Sequence, residues 1–201
     1  MRQELHAQVR LAPKFRLAAS FSKAFAPAVV LLVVIVLAGV KAGLGPLGVL
    51  ALAVGTIVIP GFTYKKYALI STLLGLPGTW RTRVVTILTV VGVVACALLN
   101  VPAPVPATVI GLVAGNAGLA LARRWMNASA HVSVIIFAAL WGTAVFGPAL
   151  GWLLVLSPMM MASRTALKEH TWGEALAGAL IGTVTFGCFV GATNWSWLER
   201  F

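Results

Sequence analysis

Residues 26–43 read APAVVLLVVIVLAGVKAG, and they decide the fold. The run holds one charge, Lys41. It approaches the roughly 20 apolar residues that carry a helix through a 30 Å hydrocarbon core at about 1.5 Å per residue. Backbone N–H and C=O groups in lipid have only their own segment to bond to, so such a run is a helix rather than a strand. Comparable runs follow at about 46–62, 84–101, 103–122, 132–146, 149–162 and 173–194. Gly45-Pro46, Pro102 with Pro104, and Gly147-Pro148 punctuate neighbouring runs and predict tight turns. The expected fold is all-α: a polytopic transmembrane helix bundle of six to seven spans over residues 26–201. The pair 132–146 and 149–162 is short for two crossings. Its alternative is one long tilted helix over 132–162.

The whole composition agrees. Of 201 residues, 60% are apolar and 9% charged, against roughly half and a quarter in soluble domains. The formal charge is +11, from 15 Lys and Arg against four acids, with no aspartate. Such basicity often marks a nucleic-acid binder. Here the cations sit in short segments between apolar runs, which fits topology signals, anionic headgroups or a phosphate site, and nucleic acid is not expected as a partner. Residues 1–25 are basic and mixed and lack a small-residue cleavage site, so they read as a cytoplasmic amphipathic lead-in on the membrane surface. With seven spans, the tail and loops 63–83, 123–131 and 163–172 share one side. That side carries thirteen of the fifteen cations, all but Lys41 and Arg200. The positive-inside rule makes it cytoplasmic, in the cell membrane. Cys96 and Cys188 lie inside apolar runs and read as small core residues. Ala175, Gly178, Gly182, Gly187 and Gly191 recur at near-helical spacing in the last run and predict close helix packing.

Ionisable groups near lipid are candidates for function. Three histidines and four glutamates make the search short. His6, Glu4 and Glu199 lie near the termini and read as solvated. His170 stands in SRTALKEHTWGE, residues 163–174, with Arg164 six residues before it and Glu174 four after. If the last helix begins near Thr171, Glu174 lies one turn inside and can accept from one imidazole nitrogen, leaving the other bare. A bare imidazole beside a guanidinium suits attack on phosphorus, with the arginine gripping non-bridging oxygens. His131 follows Ser129 in NASAH, residues 127–131. The serine can donate to a phosphate and the histidine can protonate a leaving oxygen. Against this stands the plainer reading, solvated loop residues and a helix cap.

These residues resemble the type 2 phosphatidic acid phosphatase (PAP2) superfamily of membrane phosphatases. Its third motif is Ser-Arg, five residues, His, three residues, Asp; residues 163–174 match it with Glu174 in place of the acid. Its second motif is Pro-Ser-Gly-His, of which Ala128-Ser129-Ala130-His131 keeps the serine and histidine. Its first motif, Lys, six residues, Arg-Pro, has no match in the loop before the third run; Arg81 and Arg83 are the nearest basic residues by position. The resemblance implies that His170 becomes a phosphohistidine, that Glu174 orients it and that His131 protonates the leaving group. Ser129, Arg164 and Arg83, with Arg81 as second choice, would hold the phosphate. It also implies no cofactor and no metal.

The expected function is therefore a metal-independent lipid phosphatase acting on a polyprenyl phosphate or diphosphate, with phosphatidic acid or phosphatidylglycerol phosphate as the second choice. Membrane lipids and the lipid phosphate itself are the expected partners. Two other classes stand beside it. One is a non-catalytic protein, a small transporter or an anionic-lipid-binding subunit, for which neither histidine would matter individually. The other is a phosphotransferase with an acceptor other than water.

Overall fold

A computed structural model describes residues 13–75, 77 and 81–198, and among them the regular backbone is helical, with no strand. In chain order the helices are α1 (Pro13–Ala24), α2 (Pro27–Lys41), α3 (Pro46–Leu74), α4 (Arg81–Leu98), α5 (Val105–Ala122) and α6 (Ala130–Phe146). A 3₁₀ helix (Pro148–Val155), α7 (Leu156–Ala166) and α8 (Trp172–Leu198) complete them. Proline opens α1, α2, α3 and the 3₁₀ helix. Its fixed φ suits the first helical turn, where an N–H would lack a partner anyway.

Among the described residues four helical stretches are long and apolar enough to cross a membrane: Phe15–Lys41, Pro46–Leu74, Val105–Ala122 and Trp172–Thr193. The shortest has 18 residues, about 27 Å of helix. The first includes a turn at Phe25-Ala26, between α1 and α2. Arg83–Leu98 and Ala130–Phe146 are shorter apolar helices. Four crossings are thus supported by length and composition. The segment expected at 149–162 is the clearest difference, being eight residues of 3₁₀ helix followed by an α7 of 11 residues. Pro158 explains part of it. Proline is tolerated in the first turn of α7 but supplies no N–H to continue the preceding helix.

The chain divides into two compact units, residues 1–30 with 122–183 and residues 31–121 with 184–201. Residues 1–12 of the expected lead-in lie outside the described residues.

In the first unit the hairpin is real. Gly147, at φ 106° and ψ 167°, ends α6, and few residues other than glycine take that backbone. The 3₁₀ helix then returns along α6, with Leu150 and Leu153 lying against the position of Gly142. Val132, Ile135, Met160 and Ala175 form the core, and Phe21 and Phe25 flanking the end of α1 pack onto it. Glycine makes the seam between α6 and α8. A Cβ on Gly178 would overlap the carbonyl oxygen of Ser129, and one on Gly182 that of Ser133. The two glycines and the two serines are each four apart, so one turn of each helix meshes backbone to backbone.

The second unit is held by similar small-residue contacts and by threonines. Gly39 lies against Val49 and Leu52, and Gly92 against Thr56 and Val109. Asn116 donates to Thr89 Oγ1 at 3.3 Å. Val54–Val58 within α3 is a π-helical turn, and Thr56 there bonds back to the Leu52 carbonyl at 2.8 Å.

Candidate active site

The connection between α7 and α8 is built from two helix caps. At the end of α7, Lys168 N–H bonds to Thr165 O at 3.0 Å and Glu169 N–H to Arg164 O at 3.2 Å. With Lys168 left-handed at φ 54°, this is a Schellman ending carried by lysine rather than glycine. At the start of α8, Thr171 N–H donates to Glu174 Oε2 at 2.8 Å and Glu174 N–H to Thr171 Oγ1 at 3.2 Å. That reciprocal pair is a capping box. His170 sits between the two caps, and its own N–H reaches Arg164 O at 3.4 Å.

The imidazole is fixed from elsewhere. His170 Nδ1 lies 3.0 Å from the backbone oxygen of Asn127. A carbonyl only accepts, so Nδ1 carries the proton and, in the neutral ring, Nε2 keeps the lone pair. Glu174 Oε2 stands farther, at 3.6 Å from Nδ1, beyond hydrogen-bond range. Its carboxylate caps α8 instead. The orienting group is therefore the Asn127 carbonyl, with Glu174 a nearby counter-charge. The side chain of His170 is 8% exposed.

Backbone pairing brings the second segment to the first. Ser129 N–H donates to the Glu174 carbonyl at 3.0 Å, which draws the start of α6 onto the first turn of α8. Ser129 is the N-cap residue of α6, yet its side chain makes no cap bond. Its hydroxyl is fully buried and has no partner among the protein atoms. His131, in the first turn of α6 just ahead of the apolar run, has its pKa lowered to about 4. Burial is the main cause, and the charge of Arg164 adds to it. His131 is thus a neutral base at pH 7.

Arg164 closes the group. Its Nη1 donates to Ser22 Oγ on α1 at 2.8 Å and pairs with the Glu169 carboxylate. Its side chain is 13% exposed, and its Nε is buried without a partner among the protein atoms. An open cleft of about 480 Å³ runs beside the loop, lined by Lys168, Glu169, His170, Trp172 and Glu174 among others. Neither Arg164 nor His131 lines it. Glu169, which does, holds the guanidinium from the cleft side of the pair.

His170, Glu174, Arg164, Ser129 and His131 thus belong to one unit of the chain. Arg83 does not: it lies exposed in the first turn of α4, in the other unit. Arg81 opens α4, and its side chain lies outside the described part of the structure. Two contributors escape sequence reasoning, the Asn127 carbonyl and Ser22, and a third, Glu169, is left by the search without a role. The first is a backbone atom and carries no residue signature. Ser22 lies 142 positions from Arg164. Only Glu169 leaves a trace, as an acid five residues after an arginine across a helix end. Among the described residues no three of His, Cys, Asp and Glu come together as a metal-ligand set.

The arrangement offers a buried imidazole with one nitrogen held bare, a second, neutral imidazole, and a guanidinium on the same unit. Its unsatisfied polar atoms, Ser129 Oγ and Arg164 Nε, are both donors suited to an anion. No protein-family model, curated protein or solved structure matches the chain.

Proposed function

We propose that the chain is a membrane-embedded lipid phosphate phosphatase that works through a phosphohistidine on His170. The observation that carries this reading is the Asn127 carbonyl on His170 Nδ1 at 3.0 Å, which leaves Nε2 with its lone pair. In the first step Nε2 attacks phosphorus, and the P–O bond to the lipid breaks as His131 gives its proton to the leaving oxygen. In the second, water attacks phosphorus and gives its proton to His131. The N–P bond breaks and inorganic phosphate leaves. Through both steps the Asn127 carbonyl stabilises the cationic ring, since Nδ1–H bonds to it more strongly when charged. Phosphoryl transfer asks mainly for positioning and cationic stabilisation, which Arg164 and Ser129 would supply.

His131 needs a proton to serve as the acid, and with a pKa of about 4 it is neutral at pH 7. An arriving phosphate supplies the missing term, because its negative charge favours the imidazolium. The acid is then charged by its own substrate.

The motif resemblance to the PAP2 superfamily supports the same chemistry and suggests a polyprenyl phosphate or diphosphate as substrate. Phosphatidic acid and phosphatidylglycerol phosphate come second. The cationic loops favour a cytoplasmic site in the cell membrane. The test is phosphate release from a panel of these lipid phosphates by purified protein in detergent, with EDTA present. Release from at least one lipid, unaffected by the chelator and absent in His170→Ala, supports the reading. Release that needs added Mg²⁺, or that survives in His170→Ala, overturns it.

A further inference from the structure

Helix α1 belongs to the segment read as a lead-in on the membrane surface, and one face of it is covered by protein. Ala18, Phe21, Ser22 and Phe25 fall at spacings of three and four, one side of a helix and its end. The carbonyl of Ala18 accepts from Ser163 Oγ at 2.8 Å. Phe21 and Phe25 pack on the Val132, Ile135, Met160 and Ala175 core, with their rings 4.8 Å apart. Arg16, Leu17, Ser20 and Lys23 face outward. Ser22, 4% exposed, lies on the inward side and accepts from Arg164 Nη1 at 2.8 Å.

We infer that Ser22 is a positioning residue for Arg164, and that α1 is thereby a working part of the phosphate site. The inference rests on the proposed function and adds a residue that neither motif contains. Arg164 Nη1 has two partners of different kinds. Glu169 is 47% exposed on a loop and competes with any phosphate for the same cation. Ser22 is neutral, buried and fixed on a helix. It therefore does not oppose the anion, and it keeps the guanidinium from swinging wholly onto Glu169. With Nη1 tethered, the buried Nε edge keeps a constant aim, and a planar fork is useful for phosphate only in one orientation. The bonding of Ser163 to Ala18, one residue before Arg164, sets the distance between α1 and α7 at the point where the tether is made.

The test compares inhibition by inorganic phosphate, alongside lipid phosphate turnover, in wild type, Ser22→Ala and Ser22→Thr. A hydrogen bond to a charged group is worth about 1.5–3 kcal/mol. Ser22→Ala should accordingly raise the inhibition constant and KM by roughly tenfold or more, with kcat nearly kept. Ser22→Thr, which keeps the oxygen, should restore most of the loss. A role in folding alone would not move an inhibition constant measured on the folded fraction. In an Arg164→Lys background, where the fork is already lost, Ser22→Ala should change the inhibition constant less than twofold, because coupled groups are not additive. Unchanged inhibition in Ser22→Ala overturns the inference, and so does an equal loss with and without Arg164. If wild type neither turns over lipid phosphates nor is occupied by phosphate, the proposed function falls and takes this inference with it. Wild-type turnover with an indifferent Ser22→Ala removes only the inference.

Discussion

The Nδ1 atom of His170 donates to the backbone oxygen of Asn127 at 3.0 Å, across 43 positions of sequence. A side chain at Asn127 is not needed for that bond, so Asn127→Ala should leave the tautomer of His170 and most of the activity intact. His170→Ala should leave essentially no turnover. His131→Ala should slow phosphoenzyme formation by about 10² to 10⁴, the usual worth of a general acid. That loss should shrink on aryl phosphates, whose leaving groups need less protonation. Rapid-quench measurement on both substrate types decides it, and equal losses on both would remove His131 from the acid role.

Glu174 separates two roles that sequence alone merges. As a sole orienting acid, its conversion to glutamine would leave His170 without a fixed tautomer and cost much of kcat. As the N3 residue of a capping box, glutamine serves nearly as well as glutamate. The expected outcome is that Glu174→Gln keeps activity within several-fold of wild type. Glu174→Ala should lower the melting temperature in detergent through loss of the cap. A collapse of kcat in Glu174→Gln at unchanged melting temperature would return the orienting role to the carboxylate.

Much of this fold is legible in one dimension, and the exceptions have physical causes. Gly147-Pro148 announces the hairpin because only glycine readily takes φ 106°. The Ser163-Arg164 to His170 to Glu174 spacing marks the site loop, and Thr171-Trp172-Gly173-Glu174 carries a capping signature that the functional reading of Glu174 eclipsed. Span number is less legible. Hydropathy registers that 149–162 is apolar but not that half of it is a 3₁₀ helix. Arg83 is tied to the first motif by position alone, and it belongs to the other unit. Ser22 had no signal at all, since its meaning lies in a partner 142 residues away.

Glu169 should behave as a resident competitor. It pairs with Arg164, so an incoming phosphate has to displace a carboxylate. Glu169→Gln removes that charge while keeping the shape. It should lower KM and the inhibition constant for inorganic phosphate several-fold, in keeping with the roughly 1 kcal/mol scale of an exposed ion pair. A rise in either constant would mean that Glu169 aids phosphate binding, and the competitor role would be lost.

Gly178 and Gly182 should be intolerant of any side chain. A methyl on Gly178 meets the Ser129 carbonyl, and one on Gly182 meets Ser133 O and lies 3.1 Å from Ile136 Cβ. Overpacking of this kind costs about 1–3 kcal/mol. It would also push Ser129 and His131 away from Glu174 and His170. Gly178→Ala should therefore lose both melting temperature and kcat, whereas Gly187→Ala, with nothing within 4 Å, should be silent in both. Equal effects at the two positions would mean that the seam is not what aligns the site.

His131 predicts a pH dependence of stability. Its folded pKa lies below the ordinary 6.5, at about 4, so the unfolded chain binds the proton more tightly. The contribution is fully present above pH 6.5 and is lost as pH falls from there toward 4. Melting temperatures in detergent should decline across that window in wild type, and the decline should flatten in His131→Asn. Added phosphate should oppose the decline, by favouring the charged ring in the folded state.

The two caps that join α7 to α8 also set a rule for chain length. Leu167 and Lys168 complete one helix, Thr171 starts the next, and Glu169 and His170 have no spare residue on either side. A single insertion or deletion between Ala166 and Trp172 would forfeit one cap or the other and rotate the imidazole off the Asn127 carbonyl. The interval from Arg164 to His170 is thus a ruler cut by backbone geometry. Lineages of this chain should vary in residue identity along that interval far more freely than in its length.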